Sequence, residues 1–371
     1  MPFYNDLRPE NDYMKRDYAL IFPDMENSEK KRTIESLLEL RRGLNKEIAT
    51  RKTDYNLNIA SWNIKEFGHT TQRLCEAYFY IAEIMSRFDL IVVQEVKTSL
   101  NDLYIIMRIL GRDWDYLVND ITEGTDGNSE RSAFIFNKKR VEFAGLAGEI
   151  VLWDKLTQNV DIKQLKRTPY ITGFKAGWKT FSIISMHLHP GSNEDDIAYR
   201  RKEVDLLMKA LNEKKEKKHL WNNNIILAGD FNFYNGADKD DSTVLLVNQS
   251  GYKEVESLKG KDTNASHSET YDRLFITSND YFSIAKNDQG FENGGVFNPF
   301  NYVYKDGNEL VYKAYMKAQY TGNKDMDDPN NLKKYYLHPW RKNQLSDHFP
   351  IWFELIIDSS DSFLSDKLQG F

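Results

Sequence analysis

Only one cysteine, Cys75, occurs in the 371 residues, so no internal disulfide can brace the fold. Its neighbourhood, RLCEAYFYIAEIM, has helical spacing, which fits a packed, unreactive thiol better than a nucleophile. No stretch approaches the ~20 apolar residues of a membrane span, and the N-terminus MPFYNDLRPENDYMKRDY has neither the charged head nor the apolar middle of an export signal. The expectation is therefore a protein without a membrane span, located in the cytoplasm. HExxH and CxxC are both missing, which argues against zinc. The absence of GxxxxGK[ST] argues against P-loop nucleotide hydrolysis, and the absence of GxSxG against a hydrolase elbow. A net charge of −6 excludes a chain coated in basic surface, but it leaves room for a local basic groove or a bound metal facing phosphate.

What the chain does have is apolar: 40% hydrophobic and 13% aromatic content suffices for a large packed core. Residues 1–55 carry 11 basic and 11 acidic residues, with Ile34, Leu37, Leu38, Leu44 and Ile48 at helical spacing. They predict a helical N-terminal extension that starts at a Ser28 cap. From residue 56 to 357 short apolar runs alternate with helices and loops: LNIASWNI, LIVVQEV, SAFIFN, FSIISMHL, NIILAGDF, YDRLFIT and FPIWFEL. Helices are expected near 71–88, 99–110, 196–218 and 242–249. This is an α/β (α+β) layered domain, its sheet interior covered by helices. The stretch 199–220 holds eight Lys/Arg against four Asp/Glu, and the stripe Val204, Leu207, Met208 and Leu211 makes it an amphipathic helix with a solvated basic face. Residues 286–343 have little periodicity and predict long surface loops. Residues 358–371 form a C-terminal tail.

The tips of the strands carry the chemistry. NIASWN ends at Asn63, LIVVQE at Glu95, FSIISMH at His187, and NIILAGDFN at Asp230 and Asn232. Asp272 opens YDRLFI, and Asp347 and His348 open SDHFPIWFEL. One polar strand tip is an ordinary turn. Six, all using carboxylates, amides or imidazoles, point to a shared rim. Carboxylate and amide oxygens suit Mg²⁺ or Mn²⁺, which neutralise phosphate, while two histidines can act as acid and base near neutral pH.

In order along the chain, IASWNIKEFG, DLIVVQEVKTS, NSERSAFIFN, ISMHLHP, LAGDFNFY, YDRLFI and SDHFPIWFEL resemble the endonuclease/exonuclease/phosphatase superfamily, and its deoxyribonuclease I-like branch in particular. The resemblance runs from Leu57 to about Leu355. It implies a four-layered α/β sandwich of two packed, mostly antiparallel β-sheets flanked by helices, with a cleft where the sheets' loops meet. By this resemblance Glu95 would be the principal Mg²⁺ ligand, aided by Asn63 and Asp347. His187 would be one catalytic imidazole, oriented by Glu130; His348 would be the other, oriented by Asp272. Asp230 and Asn232 would position phosphate, water or a second metal, and Arg167 and Lys97 would contact phosphate. His189, two residues past His187, is expected to be a structural or rim residue.

These expectations describe a Mg²⁺-dependent phosphodiesterase, with Mn²⁺ able to substitute, that cleaves DNA as an endonuclease of low sequence specificity through contacts to backbone phosphate. The alternative is a phosphatase or phosphodiesterase for a phospholipid, inositol phosphate or nucleotide, although the Pro-x-Trp-Cys-Asp-Arg motif of inositol phosphatases is absent. A catalytically dead scaffold is disfavoured because the carboxylate and imidazole set is complete.

Overall fold

The computed structural model describes residues 2–48, 54–69, 72–121, 129–220, 222–236 and 239–371. Residues 49–52 of the predicted N-terminal helix and Thr71, where the second predicted helix begins, lie outside the described residues.

In chain order the strands are β1 Asn56–Phe67, β2 Leu90–Val96, β3 Trp114–Val118, β4 Arg131–Asn137, β5 Glu142–Glu149, β6 Tyr170–Ala176, β7 Lys179–His187, β8 Ile225–Asp230, β9 Tyr252–Glu254, β10 Asp272–Thr277, β11 Gly294–Val296 and β12 Ile351–Ile356. They form two six-stranded sheets, ordered β11-β12-β1-β2-β4-β3 and β5-β6-β7-β8-β10-β9. Each sheet contains one parallel pair, β1/β2 and β7/β8, and is otherwise antiparallel. The helices are α1 Asn27–Glu47, α2 Cys75–Met85, α3 Asn101–Leu110, α4 Asp154–Thr157, α5 Glu194–Glu216, α6 Asp241–Gln249, α7 Lys313–Gln319, α8 Pro329–Tyr335, α9 Arg341–Gln344 and α10 Ser360–Leu368.

Side-chain alternation explains both the packing of the sheets and the position of the cleft. Leu57 and Ile59 of β1 join Leu90 and Val92 of β2, Phe181 and Ile183 of β7, Ile226 and Ala228 of β8, and Leu274 and Ile276 of β10 in the core between the sheets. Two residues further along the same faces the side chains turn polar: Ser61 and Asn63, Gln94, Ser185 and His187, Asp230, Asp272. The space between the sheets is thus sealed by hydrocarbon at one end and opens into a polar mouth at the other. The other side of the first sheet packs Ala60, Trp62 and Ile64 against α1, α2 and α3, and α5 covers the second sheet with Val204, Leu207, Met208 and Leu211.

Several expectations need correcting. The first helix is capped at Glu26 by a reciprocal pair of side-chain bonds with Glu29, so Ser28 lies inside it. Within it Leu37, Leu40 and Leu44 are buried, while Ile34 and Leu38 remain exposed. Helix α5 is amphipathic as expected, with its apolar stripe buried and Arg201, Lys202 and Lys209 exposed, but Arg200 departs from the solvated face and is fully buried in an ion pair with Asp240. The thiol of Cys75 is only half-buried, yet burial first, then nearby carboxylates, push it up to about 11.

The largest correction concerns residues 286–343, which are not surface loops. They supply β11, α7, α8, most of α9 and an aromatic core in which Tyr304, Tyr312, Tyr336 and Trp340 pack against one another and against Tyr80 of α2. Glu76 of α2 is buried beside them, bonded to Arg32 of α1 and to the Tyr312 hydroxyl at 2.8 Å. Residues 297–345 and α1 make an accessory layer outside the first sheet, of which β11 is itself the edge strand. Its helices of four to seven residues are too short to show a helical period, and buried aromatics spaced among Asn, Asp and Lys read as loop. The C-terminal tail also contains structure: α10 buries no residue but sets Phe363 edge-on to Trp178 and Tyr281.

Candidate active site

Three adjacent strands bring three titratable groups to one level. Parallel β7/β8 pairing sets His187 beside Asp230, and antiparallel β8/β10 pairing sets Asp272 on its other side. The opposite sheet contributes Asn63 and Glu95 where β1 and β2 leave regular pairing, with a register shift between Asn63 and Phe67. Glu66 and Glu95 take the left-handed backbone conformation at that bulge, with φ of 46° and 59°. Asn232, at φ 51°, does so beside β8. Such conformations cost of order 1 kcal/mol or more for residues other than glycine and cluster at functional sites.

Asp230 is the centre of the arrangement. Its Oδ2 accepts a bond from Asn63 Nδ2 at 3.0 Å, and Oδ1 accepts the Asn232 N–H at 2.8 Å. The two imidazole Nε2 atoms approach the same Oδ2, His187 at 3.7 Å and His348 at 3.8 Å. Each imidazole is held from behind by a carboxylate: His187 Nδ1 lies 3.1 Å from Glu130 Oε2, and His348 Nδ1 lies 2.8 Å from Asp272 Oδ2. Two carboxylate–imidazole pairs therefore converge on one buried carboxylate, with both Nε2 atoms facing the same space. That space is a cavity of about 530 Å³ lined by Lys65, Glu66, Glu95, Lys97, Glu130, Arg167, His187, Asp230, Asn232, Asp347 and His348, with Pro190 at its edge.

The charge states follow from these contacts. Burial opposes the charged form of Asp230, but His348, His187 and the Asn232 N–H overcome it and hold the carboxyl below its usual range. Burial likewise works against the His348 imidazolium; Asp272 and then Asp230 outweigh it and raise this histidine well above its ordinary value. Asp272 is itself raised, by burial first and by the nearby Asp230. The two shifts compete for one proton, and we place it on His348, whose ring stands between the Asp272 and Asp230 carboxylates. Glu130 is the reverse case: although burial disfavours its charge, His187, Arg167 and Lys97 hold it well below the usual glutamate range.

Every residue expected at the rim lines the cavity or touches a residue that does. Their partners refine the expected roles. Arg167 Nε and Lys97 Nζ both bond Glu130, at 2.8 and 2.9 Å, so each reaches the cavity while bound to that carboxylate. Asn232 donates its amide to the Leu188 carbonyl at 3.0 Å, as well as its backbone N–H to Asp230. Asp347 stands at the margin, 4.0 Å from Lys65 Nζ. His189 sits off the cleft, 2.8 Å from Asp196 and edge-on to Tyr199. Sequence reasoning missed Lys65, Glu66 and Ser346. The Ser346 hydroxyl donates to the Asn63 carbonyl at 2.7 Å and accepts the N–H groups of Lys65 at 3.1 Å and His348 at 3.0 Å. Its place in QLSDH, one residue before the acid and imidazole, was the only available signal.

The donor set suits a hard divalent cation. Asn63 is fully buried and its Oδ1 has no hydrogen-bond partner. Its amide donates to Glu95 Oε1 at 3.0 Å, and Glu95 Oε2 accepts the Glu66 N–H at 3.0 Å. A buried amide oxygen without a hydrogen-bond partner beside an oriented carboxylate is a donor pair that fits an oxygen-preferring ion. Asp230, Asp272 and His348 also bring one potential ligand atom each within 4.8 Å of one another. These three are, among the described residues, the group of titratable side chains whose ligand atoms could together hold a divalent ion, and within it His348 Nδ1 is bound to Asp272 at 2.8 Å.

No family model matches the chain. It is 27% identical over 185 residues to deoxyribonuclease-1 of Bos taurus and 29% identical over 185 residues to that of Homo sapiens; each match covers 48% of this chain. The chain spans 61% of the length of these two relatives. Among solved structures, an endonuclease/exonuclease/phosphatase family protein of Bacteroides thetaiotaomicron superposes with a TM-score of 0.50 at 17% identity, covering 82% of this chain and 99% of that one. That likeness shows the fold: two mixed sheets between helical layers. No helix among the described residues is long and apolar enough to cross a membrane.

Proposed function

We propose that the chain is a metal-dependent phosphodiesterase of the endonuclease/exonuclease/phosphatase superfamily, acting on DNA as an endonuclease of low sequence specificity. The observation that carries this reading is the convergence of two carboxylate–imidazole pairs on Asp230 Oδ2. The ordered motifs and the similarity to the two deoxyribonucleases favour DNA over a small phosphoester.

The residues divide the work by geometry. His187 is fixed at Nδ1 by Glu130, which leaves Nε2 to take the proton of an attacking water. His348, protonated between Asp272 and Asp230, donates a proton to the leaving oxygen. Asp230 holds both rings toward one point, and Asn232 holds Asp230 through its N–H. Glu95 and Asn63, with Asp347 at the margin, would hold Mg²⁺ or Mn²⁺, which when bound neutralises charge building on the phosphate. Lys97, Arg167 and Lys65 give the cavity three cations for backbone phosphate. Residues 56–357 form the catalytic domain, with α1 and residues 297–345 as its accessory layer.

The test is incubation with supercoiled plasmid in Mg²⁺, in Mn²⁺ and in EDTA, beside His187→Ala. Nicking that needs metal and disappears in the variant is expected. A folded protein that leaves plasmid intact but releases phosphate from a lipid, inositol phosphate or nucleotide ester would replace DNA as the substrate.

A further inference from the structure

Resting on that reading of the cleft, we propose that Arg73 is a positioning residue through which the accessory layer sets the alignment of the two cleft margins. Arg73 lies in the segment between β1 and α2, with its side chain fully buried. Its planar fork serves three partners at once. Nη1 pairs with the Asp102 carboxylate of α3, Nε donates to the Gln344 carbonyl at 3.1 Å, and Nη2 donates to the Lys65 carbonyl at 3.3 Å. The rings of Phe67 and Tyr78 lie 5.6 and 5.9 Å from the guanidinium carbon.

The two carbonyls belong to the two margins. Lys65 precedes Glu66, whose N–H holds Glu95. Gln344 ends α9, two residues before Ser346, and Ser346 ties Asn63, Lys65 and the His348 N–H together. The buried Gln344 side chain accepts the Leu74 N–H at 2.7 Å and donates to the Gln72 carbonyl at 2.9 Å. Gln319 of α7 reaches the same carbonyl at 3.1 Å and in turn accepts Trp340 Nε1 at 2.7 Å. Asp102 completes the junction by accepting the Gly68 N–H at 3.1 Å and the Tyr78 hydroxyl at 2.9 Å. Hydrogen bonds thus run without a gap from the aromatic core of the accessory layer, through Arg73, to the strand end bearing the metal-ligand candidates and the loop bearing His348. Lysine can keep the charge beside Asp102, but its single ammonium cannot also span both carbonyls.

The experiment compares Arg73→Lys with wild type and with a stability-matched control, Leu207→Ala, which opens the core under α5 away from the cleft. Melting temperature, steady-state plasmid nicking and direct Mn²⁺ titration are read on all three. Arg73→Lys is expected to lower kcat about 10- to 100-fold, the scale of a ~1 Å misalignment, with KM for plasmid little changed and Mn²⁺ affinity weakened. Leu207→Ala should lose stability and keep kcat. Equal losses of kcat in both variants, or no loss in Arg73→Lys, would overturn the proposal. If Arg73→Lys does not fold, Gln344→Ala, which removes the grip on residues 72–74 and leaves the guanidinium in place, must show the same fall in kcat. If the wild type does not nick DNA, the nuclease reading fails separately, and the Mn²⁺ titration still decides: weakened affinity in Arg73→Lys supports positioning, unchanged affinity refutes it.

Discussion

Replacing Glu130 by Gln is the most informative single change, because three cationic or ionisable groups meet on this one carboxylate. Arg167, Lys97 and His187 all lie within 3.1 Å of its oxygens, and its side chain is 6% exposed. Glutamine keeps the shape and one acceptor but removes the charge, leaving two buried or half-buried cations without a carboxylate. Breaking a buried pair costs about 3–5 kcal/mol; since the amide retains one acceptor, we expect the low end, about 3 kcal/mol. With an unfolding entropy of ~2.1 cal/mol/K per residue, that lowers the melting temperature of a chain this long by about 4 °C. The loss should depend on pH in a defined direction. The folded-state pKa of Glu130 is depressed, so its stabilisation is fully present above the ordinary glutamate value of about 4.3 and disappears as pH falls through the lower folded value. The gap between wild type and variant should therefore be constant from pH 8 to 6 and close in acid. Activity should fall by at least about 10²-fold, since His187 loses the group that fixes its tautomer. Thermal melts from pH 8 to 3 and plasmid nicking at pH 7 check both. A variant that melts with wild type at neutral pH and nicks at the same rate would refute the whole account of this cluster.

His348→Ala should lose most turnover, at least about 10²-fold, and should also be less stable than a simple surface truncation, because Asp272 is left buried beside Asp230 with no imidazole; melts and nicking assays read the two effects. Gly229→Ala should fail to fold or melt far below wild type, since φ is 150° and an added Cβ would lie 2.0 Å from the Met186 carbonyl oxygen where β8 runs beside β7; soluble yield and circular dichroism test this.

Much of the site could be read from the sequence because it is built on strands, and strands carry their own geometry. A period of two puts Ser61 and Asn63 on the face of Leu57 and Ile59, so an apolar run that ends in a polar residue already marks a mouth. The seven quoted runs all became strands. Five strands were missed: β5 is EFAGLAGE, an edge strand of glycine and alanine with exposed glutamates, β9 and β11 are three residues each, and β3 (WDYLV) and β6 (YITGFKA) are rich in strand-forming residues but were not read as strands. The families of residue types at the tips were legible for the same reason, since local chemistry names what a group can bind or titrate.

Register and long-range packing were not legible, because each depends on residues far away in sequence. Nothing local indicates that Lys97 and Arg167 meet on Glu130, or that one carboxylate oxygen lies between two histidines 161 positions apart. The contrast is sharpest at residues 286–343. Their aromatics look like loop decoration until α1 and α2 provide a surface on which Tyr304, Tyr312, Tyr336 and Trp340 can bury. Sequence alone determined the layered α/β class and the residue types of the cleft, since both follow from periodicity and functional-group chemistry. Only the tertiary structure decided that both imidazoles converge on one Asp230 oxygen, how the cleft margins are tied to the accessory layer, and that this layer exists, because those outcomes are set by burial free energy shared between segments that no local pattern connects.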